Sequence, residues 1–159
     1  QTMCAMNHMD FNRNQSYSYE QLFQIMRQLN LTYPEMEQMF RRMVFNAYAR
    51  NCDDHTKNHS FLMDNSGKWR LAPAYDVCFA YNPTNFWVKR HALSINHKRE
   101  KFAIDDFMEV AKLINCRKPE AIISEVKNVV SHWQDFACEA HVDESLNRMI
   151  SSCIMVDVD

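Results

Sequence analysis

The chain contains a single glycine, Gly67, in 159 residues. Phosphate-cradling loops of both the P-loop and the protein-kinase kind need several clustered glycines, because only a residue without a Cβ lets the backbone approach so closely. Neither loop can be encoded here. Basic charge is not in excess either: 18 Lys and Arg stand against 20 Asp and Glu, a formal net charge of −2. The sequence-independent attraction that drives proteins onto nucleic acid is therefore missing, and no direct nucleic-acid contact is expected. No run approaches the roughly 20 apolar residues that span a bilayer. No basic-then-apolar start suggests a signal peptide, so a soluble protein with no membrane association is expected. The six cysteines are scattered singly, with no Cys-x-x-Cys pair. Isolated thiols of this kind serve mostly as small buried hydrophobes in a reducing cytoplasm. What is present, 47% hydrophobic and 24% charged residues, excludes disordered and disulfide-scaffold chains. The length suits one domain or one lobe of a larger protein. The chain opens on Gln1 with no cap or turn to start it, and reads as a piece of something longer.

Local signals describe a mainly helical chain. Residues 1–9 have room for one or two helical turns, and residues 10–17 are polar and loop-like. Ser18 with Gln21 forms a capping box, followed at helical spacing by Tyr19, Leu22, Phe23, Met26 and Leu29. Thr32, Pro34 and Glu35 open a second helix, whose apolar stripe is Met36, Met39, Phe40, Met43, Val44, Ala47 and Tyr48. An asparagine-rich stretch, residues 51–58, ends it. Residues 60–63 and 68–71 flank Asp64-Asn65-Ser66-Gly67, where Gly67 supplies the positive φ of a hairpin turn, and Pro73 closes the hairpin. Residues 72–90 have many aromatics and no period, which predicts an irregular packed loop. Its Tyr75, Phe79, Tyr81, Phe86 and Trp87 are expected to wall the floor of a site. Residues 92–95 alternate and suit another short strand. Farther on, Phe107, Met108, Ala111 and Ile114 form one stripe. Pro119 opens a longer helix expected to bury Ile122, Val126, Val129, Val130, Trp133 and Phe136. A last helix from about Asp143 carries Leu146, Met149, Ile150 and Cys153. There are no repeats or linkers. The fold class is α+β, mainly α: one lobe interrupted by a single small β-hairpin.

Residues 51–76 carry the chemistry. Asp53 and Asn58 lie in a loop after a helix, and Asp76 ends the hairpin that follows. Phosphoryl transfer uses such a set. One aspartate orients the attacking hydroxyl and accepts its proton, and an asparagine five residues on gives a metal a neutral oxygen. A second aspartate supplies the charged ligand that bridges metal to phosphates. Mg²⁺ prefers hard oxygen donors and keeps several waters, so one carboxylate and one amide suffice. Lys57 can place a compact positive charge near the transferring group. Asp- and Asn-rich loops also arise because these side chains cap and turn the backbone, so spacing alone leaves both readings open. His55 and His59, four apart with Asp53 nearby, raise zinc. That spacing brings two ligands together only on a helix, and this stretch does not read as one. A metal-dependent hydrolase of phosphate esters, built on Asp53 and Asp76, is a further reading. The basic residues Lys89, Arg90, Lys98, Arg99 and Lys101 could steer an acidic partner, although charges in loops are ordinarily solvated surface.

The string Asn51-x-Asp53-Asp54-His55-x-Lys57-Asn58, followed by Trp69-Arg70-Leu71-Ala72-Pro73-Ala74-Tyr75-Asp76-Val77, resembles the catalytic core of the HipA-type serine/threonine kinases. These are the toxin partners of bacterial toxin–antitoxin pairs. The resemblance extends to Gln1-Thr2-Met3-Cys4-Ala5, to Phe40-Arg41-Arg42-Met43-Val44-Phe45-Asn46 and to His91-x-Leu93-Ser94-Ile95-Asn96, so that residues 1–159 resemble the C-terminal lobe of such a kinase. It implies a protein-kinase-like helical lobe whose hairpin carries the metal-binding aspartate. It further implies Asp53 as catalytic aspartate with Lys57 beside it, and Asn58 and Asp76 as Mg²⁺ ligands. His55, Lys57, Asn58, Tyr75 and Asp76 would face ATP. Asp54 is expected to be a loop-stabilising acceptor, and His55 either a pin for the loop or a phosphate contact. A complete HipA-like kinase also has an N-terminal lobe with the phosphate-covering loop, a phosphate-pairing lysine and the adenine hinge, none of which is in these 159 residues. Losing nucleotide positioning removes a large part of the proximity advantage. The expectation is the catalytic-loop lobe of a cytoplasmic kinase that acts on a protein hydroxyl, inactive by itself. The alternative is a non-catalytic module docking an antitoxin-like DNA-binding partner.

Overall fold

The computed structural model describes residues 1–154 and 158. In chain order its elements are α1 (Met3–Met6), a 3-10 helix (Phe11–Ser16), α2 (Tyr19–Gln28), α3 (Tyr33–Tyr48), β1 (Phe61–Met63), β2 (Trp69–Leu71), α4 (Ile104–Leu113), α5 (Pro119–Ser131), α6 (Trp133–Glu139) and α7 (Glu144–Ser151). The class is the expected one, mainly helical with a small antiparallel hairpin. Among the described residues no helix is long and apolar enough to cross a membrane.

Both capping signals select the helix starts. Ser18 Oγ accepts the Gln21 N–H while the Gln21 side chain accepts the Ser18 N–H, so two orphan donors of α2 are satisfied reciprocally. At α3 the Glu35 carboxylate takes the Thr32 N–H at 2.8 Å and the Thr32 hydroxyl at 2.7 Å. Its other oxygen accepts the Leu71 N–H at 2.8 Å, tying β2 to the start of α3. Residues 10–17 contain more order than polarity alone suggested. Asp10 accepts the Asn12 N–H and starts the 3-10 helix, which kinks at Arg13.

With almost no glycine, the helices end in another way. Five of them close in a Schellman turn, whose first residue beyond the cap adopts the left-handed conformation that favours glycine. His8, Asn30, Arg50, Asn115 and His141 hold that place, with φ between 48° and 56°. The N–H of the next residue then reaches back to the helix: Met9 to Cys4 O, Leu31 to Met26 O, Asn51 to Asn46 O, Cys116 to Ala111 O and Val142 to Ala137 O. The third of these hands α3 directly into residues 51–58.

The α3 stripe read from sequence is buried along its whole length and forms the centre of the core. It packs against α5 more extensively than any other two helices pack together. The hairpin pairs Phe61 with Leu71, Leu62 with Arg70 and Met63 with Trp69, and Gly67 turns at φ +83°.

Four expectations change. Residues 92–95 form no strand: Ser94 and Ile95 make isolated bridges, and Ala92, Leu93, Ser94 and Ile95 are all buried rather than alternating. The long helix from Pro119 breaks at His132. There the Ser131 hydroxyl and the His132 ring both take the Asn128 carbonyl and compete with helical pairing. Val129 and Phe136, expected inside, are about half exposed. Finally, only Cys4 and Cys52 are buried, while Cys78 and Cys138 are exposed.

Candidate active site

The left-handed turn at Arg50 redirects the chain from α3 into the loop that follows. The Arg50 guanidinium lies 3.7 Å over the Tyr81 ring, and its carbonyl accepts the Ala80 N–H at 3.1 Å. Cys52 in turn donates to Ala80 O, so residues 50–52 run beside the segment after Asp76. The loop closes on itself through Asn58 N–H to His55 O at 2.9 Å. From the other side, Met3 N–H holds His59 O at 2.8 Å and Cys4 N–H holds Thr56 O at 3.1 Å.

Asp54 faces inward and is completely buried. One oxygen accepts the Ala92 N–H at 2.8 Å and, more weakly, that of Leu93 at 3.4 Å. The other accepts the Tyr19 hydroxyl at 2.8 Å and lies 3.1 Å from His91 Nδ1. Tyr19 also accepts from Asn46 Nδ2, and Asn46 accepts from Asn51 Nδ2, so the chain of bonds returns to the start of the loop. Burial alone would push the Asp54 carboxyl up, but the adjacent His91 and the hydrogen bonds from His91 and Tyr19 hold it below the ordinary carboxylate range. For His91, burial works against the charge, and the Asp54 carboxylate overcomes it, raising the imidazole to about 10. His59 is buried with Nε2 3.3 Å from Asp54 O; burial keeps it neutral and lowers it to about 4. His55 and His59 thus look to different partners, and no helix aligns them for zinc.

Asp53 faces the other way, with a side chain about 42% exposed. Its carbonyl accepts Asn58 Nδ2 at 2.9 Å, and the same nitrogen reaches Asp76 Oδ2 at 3.0 Å. Asp76 adopts a left-handed backbone at φ 53°, which an aspartate tolerates better than most residues. Tyr75 donates its hydroxyl to Lys57 O at 2.5 Å, so the segment that follows β2 is fastened to the loop by two adjacent residues. The Asp53 carboxyl is raised by burial; His55, 3.8 Å away, opposes this, while Asp76 and Asp54 add to it. The thiol of Cys78 is also raised, by burial and then by Asp76 and Asp53. Both carboxylates therefore act on one small region.

A cavity of about 320 Å³ opens beside this cluster, lined among others by Arg41, Arg42, Asn58, His59, Tyr75 and Asp76. Arg42 donates to Ala72 O at 3.0 Å and so pins the end of β2; burial lowers its guanidinium. The donor set suits a hard cation. Asn58 spends its amide nitrogen on two acceptors, so its oxygen is the atom it could offer a cation, and the Asp76 carboxylate is adjacent. Among the described residues no three His, Cys, Asp or Glu side chains cluster closely enough to hold a metal by themselves. A metal here would draw on the asparagine and on water.

The structure brings Asp53, Asn58 and Asp76 together, with His55 beside Asp53 and Tyr75 bonded to the loop. Lys57 sits exposed in the turn between Asp53 and Asn58, and like Asp53 and His55 it does not line the cavity. Of the aromatics expected to floor the site, Tyr75 alone lines this cavity. Phe86 and Trp87 stack edge to face on an exposed tip, and Tyr81 lies under Arg50. The basic cluster is largely engaged in the fold: Lys98 pairs with Asp106 at 2.8 Å, and Arg99 donates to the carbonyls of Ala92 and Tyr17. Sequence reasoning missed the roles of Tyr19, Asn46 and Arg42. Tyr19 and Arg42 carry no local signal, because Asp54 and Ala72 lie 35 and 30 residues away; Asn46 meets Asn51 five residues on, but its link to Tyr19 spans 27 residues.

Residues 1–133 match the family model of the HipA-like C-terminal domain. No curated protein matches the chain.

Proposed function

Because the chain belongs to the HipA-like C-terminal domain family, we propose that it is the catalytic-loop lobe of a serine/threonine protein kinase of the HipA toxin type. The reaction is transfer of the ATP γ-phosphate to a protein hydroxyl. One observation carries this reading: the Asn58 amide nitrogen reaches both the Asp53 carbonyl and the Asp76 carboxylate, gathering residues from a loop and from the segment that follows the hairpin.

In this reading Asp53 orients the acceptor hydroxyl and takes up its proton. A carboxyl raised above its ordinary range is the better proton acceptor. The Asn58 oxygen and the Asp76 carboxylate would hold Mg²⁺, which when bound neutralises charge on the phosphates. Lys57 adds a compact positive charge at the loop's exposed turn. His55 and Tyr75 would face ATP, and the Tyr75 hydroxyl fastens the residue before Asp76 to the loop. The one glycine lies in the hairpin turn, away from any phosphate-covering loop, so these 159 residues alone neither hold ATP tightly nor turn over. The partners are a protein substrate and an antitoxin-like DNA-binding protein, and the setting is the bacterial cytoplasm.

The test uses the full-length protein that carries this chain, with Asp53→Ala and Asp76→Ala made separately. Each substitution is expected to lower phosphoryl transfer by about 10²-fold or more. Transfer near the parental rate in either variant refutes the assignment.

A further inference from the structure

We propose that Asp54, held by Tyr19 and His91, is the positioning residue of this site: its buried carboxylate sets where Asp53 and Asn58 stand before any ion arrives. The inference rests on the kinase reading of Asp53, Asn58 and Asp76.

The mechanical path is short. Asp54 is fixed to α2 through Tyr19 and to residues 91–93 through His91 and two backbone N–H groups. Its own carbonyl is held at 3.3 Å by His59. The peptide unit just before it presents the Asp53 carbonyl, the acceptor for Asn58 Nδ2. That nitrogen is the one that meets Asp76 Oδ2. Displacing Asp54 therefore moves the Asp53 carbonyl, and the asparagine loses one of its two anchors. An inward Asp54 with no exposure also goes with the outward, partly exposed Asp53.

A purely structural role explains the arrangement less well. Buried ion pairs add little net stability over apolar side chains of similar volume. They do impose direction, since every oxygen of the carboxylate must meet a donor in a particular place. Here four donors from two separate segments converge on one side chain next to the candidate base.

The experiment uses Tyr19→Phe, Asp54→Asn and, as a core control outside the network, Ile123→Val. Tyr19→Phe keeps the buried ring and removes only the hydroxyl, so it decides the matter if Asp54→Asn does not fold. Two quantities are read on the chain: amide hydrogen exchange residue by residue, and the Mn²⁺ concentration that half-broadens the amide signals of residues 53–58 and 76. Tyr19→Phe and Asp54→Asn are expected to speed exchange at least tenfold in residues 52–59 while α3 and α5 stay protected. They are also expected to raise the Mn²⁺ midpoint at least fivefold, whereas Ile123→Val leaves it in place. A wild-type midpoint in both network variants overturns the proposal, as does exchange that rises evenly along the chain or not at all. Should wild type show no broadening by Mn²⁺, the metal reading of Asn58 and Asp76 fails, and exchange alone then decides whether Asp54 anchors the loop.

Discussion

Glu35 shows how much one side chain can settle. Its two oxygens cap the N-terminus of α3 and hold the backbone of β2, joining a helix to a hairpin far along the chain. Glu35→Ala removes all three contacts and is expected to cost about 1–2 kcal/mol in urea unfolding at pH 7. Although burial would raise this carboxyl, the Thr32 and Leu71 donors hold it below its ordinary range. Its contribution is therefore present at neutral pH and lost as acid protonates it. The difference between wild type and Glu35→Ala should shrink on going to pH 3, and an undiminished difference there would contradict the hydrogen-bond account. At this scale the site was partly legible. Asp53, Asn58 and Asp76 announce themselves by residue type and spacing, and Asp54 was foreseen as an acceptor. Its partners Tyr19 and His91 were not, because one reads as an ordinary stripe residue of a helix and the other as a loop histidine.

The hairpin and the helices were legible for a different reason: capping boxes, Pro34, Pro119 and the lone glycine are local signals with local effects. Gly67 at φ +83° has open space where a Cβ would go, so Gly67→Ala should meet no clash. The cost is that of forcing an L-residue into the left-handed region, about 1–2 kcal/mol. Amide exchange should show that loss concentrated in β1 and β2, with α3 and α5 unaffected; a loss spread over the helices would mean that the turn is coupled to the core. Elements decided by competition were harder to read. The break at His132 depends on which groups win the Asn128 carbonyl, and apolar periodicity passes straight through it. Residues 92–95 look like a strand because they alternate, yet the N–H groups of Ala92 and Leu93 are spent on Asp54 rather than on a neighbouring strand.

For the molecule as a whole, two buried histidines pull stability in opposite directions along the pH scale. His59 has a folded value near 4 against an ordinary 6.5, so its contribution is complete above pH 6.5 and is lost as pH falls toward 4. A shift of that size corresponds to on the order of 3 kcal/mol. His91, raised to about 10, contributes fully below pH 6.5 and loses its contribution as pH climbs toward 10. Stability should therefore peak near pH 6.5 and decline on both sides. Urea midpoints at pH 5, 6.5 and 9 test this, and a flat profile across that range would show that neither histidine is held as described. The mainly helical class and the apolar stripe of α3 followed from capping signals and periodicity, whereas the central place of α3 did not. The joining of the loop to residues 91–93 did not, since a fully buried ion pair between segments so far apart leaves no periodic trace.

The scarcity of glycine leaves the lobe with a mutational reserve. Helix ends at His8 and His141 occupy a backbone shape that glycine would adopt without strain, and both side chains are exposed. Replacement there is open to selection without touching the core, and the stability so gained can offset a harmful change elsewhere. Arg50 is different, because its side chain covers Tyr81. A lineage carrying this lobe can thus vary the rim of its cleft at lower risk of unfolding, provided the junction after α3 stays as it is.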